Sequence, residues 1–195
     1  RFMQKLVGDV ATAIATGLLQ VGDKAGLLRQ MAGAGWLTAA QLAERSGVRA
    51  RYVEEWLAAV AGAGYVEYDA AADAFLLPDE HAQFLVNPQA ETYLGGLYGG
   101  LPTLMGMVPK LADAFQRGDG IAFSDFGGDM PQLLEVMNRP VYEARLVQHW
   151  LPALPEVLAR LQAGGSALDI GCGTGVVPIT LAKAFPAARI AGIDL

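Results

Sequence analysis

Three glycines at alternate positions, Gly171, Gly173 and Gly175, constrain this chain more than any other feature. They follow the apolar run Ala167-Leu168-Asp169-Ile170 and precede a helix-like stretch that leads to a second apolar run, Ile190-Ala191-Gly192-Ile193, closed by Asp194. Strand, glycine turn, amphipathic helix and strand ending in a carboxylate make half of a nucleotide-binding α/β unit. In such units the turn lets a ligand touch backbone and the distant carboxylate grips ribose hydroxyls. A dinucleotide fingerprint would place its third glycine at 176, where Val176 stands, and a phosphate loop would need a lysine well before Lys183. Asp169, two residues ahead of the first glycine, would repel a pyrophosphate and suits a ligand carrying an ammonium and a sulfonium group.

Asp169-Ile170-Gly171-Cys172-Gly173-Thr174-Gly175, with Asp194 nineteen residues beyond Gly175, resembles the first two cofactor motifs of the class I S-adenosylmethionine-dependent methyltransferases. Gly22-Asp23-Lys24-Ala25-Gly26-Leu27, Arg51-Tyr52-Val53-Glu54-Glu55-Trp56-Leu57, Pro78-Asp79-Glu80-His81-Ala82 and Asn138-Arg139-Pro140 are similar to bacterial members with an N-terminal winged-helix domain. The resemblance implies an α/β fold: an N-terminal helical winged-helix domain, then the start of a Rossmann-like domain whose second strand ends the visible chain. It implies S-adenosyl-L-methionine as cofactor. Asp169, Gly171, Cys172, Gly173 and Gly175 would form the cofactor turn, Asp194 would accept from the ribose hydroxyls, and Leu195 would lie against the adenine. Val136-Met137-Asn138 is weakly similar to the helix that lines the substrate pocket of winged-helix O-methyltransferases, which makes Met137, Asn138 and Tyr142 pocket candidates.

Upstream, Phe2, Leu6, Val10, Ile14 and Leu18 recur every four residues, with Val7 and Leu19 beside them, and predict a helix that Gly22-Asp23 ends. Leu27, Leu28 and Met31 mark a short second helix. Thr38-Ala39-Ala40-Gln41 has capping-box form and opens a helix with Leu42 inward, ending at Ser46-Gly47. The next helix carries Tyr52, Val53, Trp56, Leu57 and Val60 on one face and closes at Gly62-Ala63-Gly64. Tyr65-Val66-Glu67-Tyr68 and Ala74-Phe75-Leu76-Leu77 then read as strands around a small-residue turn. Helix, turn, helix and hairpin make a winged helix. DNA binding through its second helix is one reading; a dimerisation or lid module is the other. Between Trp36 and Val86 three basic residues face eight acidic ones, and Glu54 and Glu55 lie on the helix that would enter a groove. This balance favours the second reading.

From Pro88 to Gly164 the pattern is helical with glycine-rich interruptions. Gly95, Gly96, Gly99, Gly100 and Gly106 permit close helix approach or kinks. The stretch from Gly118 through Gly127-Gly128-Asp129, anchored by Phe123 and Phe126, is a lid or a connector, and Phe126 joins the substrate candidates. Asn138-Arg139-Pro140 restarts a helix with proline in its first turn, with Tyr142, Leu146 and Trp150 on one face. The domains expected are 1–88 (winged helix and dimerisation), 89–164 (helical linker and lid) and 165–195 (start of the cofactor domain). Two parallel strands and one helix leave an apolar sheet face uncovered, so the chain reads as the front of a longer protein.

A net charge of −6 disfavours a surface built to neutralise nucleic acid phosphates. No run of 18 apolar residues is free of breaks, which argues against a membrane span. A single cysteine, Cys172, excludes an internal disulfide and fits a reducing, cytoplasmic compartment. No cluster has metal-ligand spacing, so no metal is expected. His81 and His149 are the only histidines, and neither is singled out as a general base; the family's usual base would lie beyond the visible part, and the catalytic residue stays unassigned. The expected protein is a methyltransferase for a small, largely apolar acceptor, a homodimer through its N-terminal domain. Two alternatives stand beside it: a winged-helix transcription regulator that senses S-adenosylmethionine, and an NAD-dependent dehydrogenase, which Val176 and Asp169 disfavour.

Overall fold

The computed structural model describes residues 1–127 and 130–194. The chain divides into two compact units, Arg1–Met105 and Gly106–Leu195.

The first unit opens with α1 (Phe2–Lys24) and α2 (Leu27–Met31). The helix-turn-helix follows as α3 (Ala39–Ser46) and α4 (Ala50–Gly62). The capping box forms as expected: Thr38 Oγ1 accepts from the Gln41 amide at 3.3 Å and the Thr38 amide donates to Gln41 Oε1 at 2.8 Å. Two otherwise orphaned amides are satisfied, which is why α3 starts there. The wing is the antiparallel pair β1 (Glu67–Asp69) and β2 (Ala74–Leu76). Leu37 exchanges both backbone hydrogen bonds with Phe75 and adds a third, one-residue rung. Leu28, Met31, Leu42, Val53, Leu57 and Val60 have no exposed surface. Burial of this kind is worth about 1.5–3 kcal/mol per large aliphatic side chain and holds the helices together.

Two expectations fail here for packing reasons. α1 does not stop at Gly22 but runs through it to Lys24. The indole of Trp56 lies directly against Gly22, where an added Cβ would sit 2.2 Å from the ring, and Trp56 Nε1 donates to the Leu18 carbonyl at 2.8 Å. Gly22 is therefore a close-approach residue inside a helix, not a breaker. Tyr52 points outward, 65% exposed, while Val53, Trp56, Leu57 and Val60 form the buried face of α4.

α5 (Asp79–Leu85), α6 (Gly95–Gly99) and α7 (Leu101–Gly106) complete this part of the chain. The small residues allow the expected close approach: Gln20 of α1 donates to the Gly99 carbonyl of α6 at 2.6 Å. Tyr98 is buried and donates to the Leu85 carbonyl at 3.1 Å.

The second unit contains α8 (Val108–Arg117), a 3₁₀ turn over Phe123–Phe126, α9 (Met130–Arg145) and α10 (Pro155–Gln162). Beyond these come β3 (Ser166–Ile170), α11 (Val176–Ala184) and β4 (Arg189–Ile193). β3 and β4 pair in parallel, with Asp169 opposite Gly192 and Ile170 opposite Ile193. Leu151, Leu161, Leu181 and Phe185 form the core, joined by Ala167 and Ile190 from the strands. The alternate strand residues Leu168, Ile170 and Ile193 are each more than half exposed, as the sheet pattern implied.

α9 corrects a further expectation. Pro140 does not restart a helix; it is buried inside a continuous one. Proline removes one hydrogen bond and crowds the preceding turn, a cost of about 3 kcal/mol in an isolated helix. Arg139 bridges Glu135 and Glu143, one turn to either side, and recovers part of it, about 0.2–0.5 kcal/mol per pair. The chain then widens into a π-helical turn over Leu146–Trp150, where Trp150 meets the Tyr142 ring edge-on at 6.0 Å.

Candidate cofactor and acceptor cleft

The end of β3 builds the site. Gly171 donates its amide to the Ile193 carbonyl at 2.8 Å, and the Cys172 amide reaches the same carbonyl at 3.2 Å. The chain thus peels away from β4 while still tied to its tip. Gly171, Gly173 and Gly175 have φ of 78°, 54° and 84°, a left-handed conformation that L side chains adopt only under strain. Gly175 is the N-cap of α11, and Val176, where a dinucleotide site would carry glycine, is buried as the first residue of that helix.

Asp194 folds back over this turn, and its Oδ2 accepts the Gly173 amide at 2.6 Å. The two ends of the motif, separated by a whole helix in sequence, therefore meet. Gly192 is the close-packed point beneath them, since an added Cβ would lie 2.8 Å from Cys172 Sγ. Cys172 is half-buried in the turn.

A cleft of about 360 Å³ opens over the turn. Asp169, Gly171, Cys172, Gly173 and Asp194 line it together with Thr174, Val176 and Val177. From the α9 side come Pro131, Leu134, Glu135, Asn138 and Tyr142, and from the 3₁₀ turn Phe123. Of the residues singled out in the sequence, the turn residues Asp169, Gly171, Cys172, Gly173 and Asp194 and the pocket candidates Asn138 and Tyr142 share this one cleft. Gly175, Met137 and Phe126 lie off its lining; Phe126 packs instead against Phe123, with ring centres 6.4 Å apart. Leu195 falls outside the described residues, as do Gly128 and Asp129 of the proposed lid.

Glu135 and Thr174 were not legible from motif spacing. Arg139 Nε donates to the Glu135 carboxylate at 3.0 Å, and Thr174 lines the cleft with it. The Arg139 contact, and then Thr174, hold the Glu135 carboxyl below its ordinary range, so it stays ionised. The helical spacing of Glu135, Arg139 and Glu143 was the available signal for the ion-pair ladder; Thr174 sits inside the glycine motif, but no spacing ties it to Glu135.

The donor set decides what the cleft can hold. Its charged lining groups are Asp169, Asp194 and Glu135, with no lysine, arginine or histidine among the lining residues. No atom outside the neighbouring residues comes within 4 Å of a Cβ added at Gly171 or Gly173, so the turn presents bare backbone to open space. Carboxylates beside an open glycine turn suit a ribose and a cationic tail, and oppose a pyrophosphate. The volume falls in the range of about 300–1,000 Å³ typical of small-molecule sites. Neither histidine lines the cleft: His149 is exposed on the π-helical turn, and His81 Nδ1 bonds the Tyr65 carbonyl at 3.0 Å in the first unit. Among the described residues no cluster of His, Cys, Asp or Glu is arranged to hold a metal ion.

Comparison with known proteins agrees with this geometry. Residues 12–87 match the model of the Rv2258c-like winged HTH domain. No curated protein matches the chain. Among solved structures, the mitomycin 7-O-methyltransferase MmcR is similar with a TM-score of 0.61 and 21% identity, covering 97% of this chain and 57% of its own. PigF, solved with SAH, is similar at 0.59 and 21% identity, with 97% and 57% covered. Human N-acetylserotonin methyltransferase in complex with SAM is similar at 0.55 and 18% identity, with 98% and 59% covered. The chain thus spans somewhat over half the length of these structures. Residues 12–87 thus match a winged helix-turn-helix domain of the Rv2258c-like type, and the chain along its length has the fold of the corresponding part of these methyltransferase structures.

Proposed function

We propose that the protein is a methyltransferase that binds S-adenosyl-L-methionine over the Gly171–Gly175 turn and passes its methyl group to a small-molecule acceptor held against α9. The single observation that carries this reading is the closure of Asp194 onto the Gly173 amide beneath a cleft whose charged lining groups are all carboxylates. Asp194 would hold the ribose hydroxyls, the open space over the glycine turn would let the amino-acid portion approach the backbone closely, and Asp169 would face its amino group directly or through water. When bound, S-adenosylmethionine supplies a methyl group on an already activated sulfonium. The chain's own residues then have three tasks: to align the acceptor, to exclude water and to keep the turn rigid. Phe123, Leu134 and Tyr142 offer the apolar wall for the first two; the Asp194 hydrogen bond serves the third.

The N-terminal unit is read as a homodimerisation module. Phe2, Leu6, Val7, Val10 and Ile14 are each more than half exposed along α1, which at 23 residues is ~35 Å long. A contiguous apolar stripe of this length is the kind of surface that a twofold mate covers. Glu54 and Glu55 are exposed on α4, the helix that would enter a DNA groove, and they count against the regulator reading. Among the described residues no helix is long and apolar enough to cross a membrane; a cytoplasmic location remains part of this proposal.

Isothermal titration with S-adenosylmethionine, S-adenosylhomocysteine and NAD tests the reading. Binding of the first two and not the third supports it. Binding of NAD alone, or of none, overturns it.

A further inference from the structure

Glu135 stands apart from the other cleft carboxylates. Asp169 and Asp194 belong to the strand ends that carry the glycine turn, whereas Glu135 enters from α9. Only about a quarter of its side chain is exposed. A carboxylate can accept about four hydrogen bonds. Two Arg139 donors, Nε and Nη2, go to Oε1. Acceptor capacity therefore remains on this carboxylate, and Glu135 lines the cleft.

The charge balance points the same way. Arg139 also donates to Glu143 Oε1 at 2.9 Å, so one guanidinium is shared by two carboxylates and the ladder keeps one net negative charge. Glu135 lines the cleft; Arg139 and Glu143 do not. Thr174 of the glycine turn lines the cleft beside Glu135. Around it lie Phe123, Pro131, Leu134 and Tyr142, which would pack an apolar or aromatic body.

We propose that Glu135 reads a protonated nitrogen in this cleft, an alkylammonium borne either by the amino-acid portion of the cofactor, which it would share with Asp169, or by the methyl acceptor. This rests on the methyltransferase reading for the identity of the cofactor, but not for the existence of the ammonium site. The partly buried carboxylate favours a cation with an N–H to donate, and it opposes acidic acceptors.

Two matched ligand pairs test it by calorimetry or ligand-observed NMR: S-adenosylhomocysteine against 5′-methylthioadenosine, which lacks the amino-acid tail, and phenethylammonium against 2-phenylethanol, with and without S-adenosylhomocysteine. Glu135→Gln keeps an acceptor for Thr174 and removes the charge. It should weaken the ammonium-bearing member of one pair roughly tenfold and leave its ammonium-free counterpart within about twofold. The pair that responds identifies the source of the nitrogen. Glu143→Gln removes one charge from the same ladder but leaves the carboxylate that lines the cleft, and should weaken the ammonium-bearing ligand clearly less than Glu135→Gln does. The proposal is overturned if no ammonium ligand binds the wild type, if in neither pair the ammonium-bearing member alone falls, or if Glu143→Gln has the same effect as Glu135→Gln. A wild type that binds no adenosyl ligand, yet loses phenethylammonium selectivity in Glu135→Gln, would refute the methyltransferase reading and leave the ammonium site standing.

Discussion

The Gly173 amide donates a 2.6 Å hydrogen bond to the Asp194 carboxylate, so the residue expected to grip a ribose also holds the turn on which the cofactor would rest. Asp194→Ala therefore removes ligand contacts and loosens the turn at once. Charge-assisted hydrogen bonds are worth ~1.5–3 kcal/mol each, and affinity for S-adenosylhomocysteine should fall by about one to three orders of magnitude. Calorimetry giving an unchanged dissociation constant would remove Asp194 from the site.

Gly173→Val tests the turn itself. The protein leaves open space at this position, so the defect cannot come from crowding by neighbouring residues. It comes from holding a β-branched residue at φ of 54°, a strain of about 1–3 kcal/mol, and from a side chain projecting where the ligand should touch backbone. Cofactor binding should disappear while the circular dichroism of the helical N-terminal unit persists. Retained wild-type affinity would show that the turn does not cradle the ligand.

Gly22→Ala probes the first unit in the same way with the opposite cause. Here the added methyl would meet the Trp56 ring at 2.2 Å, and the indole is tethered by its bond to the Leu18 carbonyl. Overpacking of this sort costs about 1–3 kcal/mol. The thermal midpoint should drop, and a second change, Trp56→Phe, should recover part of the loss. An unchanged midpoint for Gly22→Ala would mean that α1 and α4 separate freely.

The dimer expectation is sharpened by where the exposed stripe ends. Leu19 and Gly22 belong to the core of the first unit, whereas Phe2 through Ile14 do not. Deleting residues 1–14, or introducing Leu6→Glu with Val10→Glu, should give a monomer in sedimentation at micromolar concentration without unfolding the winged helix. A wild type that is already monomeric there contradicts the proposal.

The Glu135 ladder has a pH signature with a defined sign. The Glu135 carboxyl is held below its ordinary value of 4.5 in the folded protein, chiefly by Arg139 and then by Thr174. The unfolded chain therefore binds the proton more readily. The stabilisation is fully present above the ordinary value and is lost as pH falls through the lower, folded one. The melting difference between wild type and Glu135→Gln should be largest above about pH 5 and shrink in acid. A difference that grows on acidification would reverse the assignment.

Local chemistry determined much of this protein before any contact was known. The capping box at Thr38 and Gln41, the alternate glycines after β3 and the carboxylate closing β4 act over a few residues, and their periods of 2 and 3.6 separate strand from helix without reference to the rest of the chain. Four other features were decided only by tertiary structure. Gly22 continues a helix because a tryptophan 34 positions away lies on it. Pro140 stays inside α9, spanned by the Arg139 ladder and buried at its own ring. Phe123, not Phe126, reaches the cleft because a 3₁₀ turn sets which ring faces it. Glu135 becomes a site residue because the fold brings α9 to Thr174, across a separation in sequence that no helical or strand period encodes. Propensity and periodicity describe a residue's neighbours along the chain. A partner brought in by packing leaves no mark on that pattern, since its favourable energy arises only when the two surfaces have already been brought together.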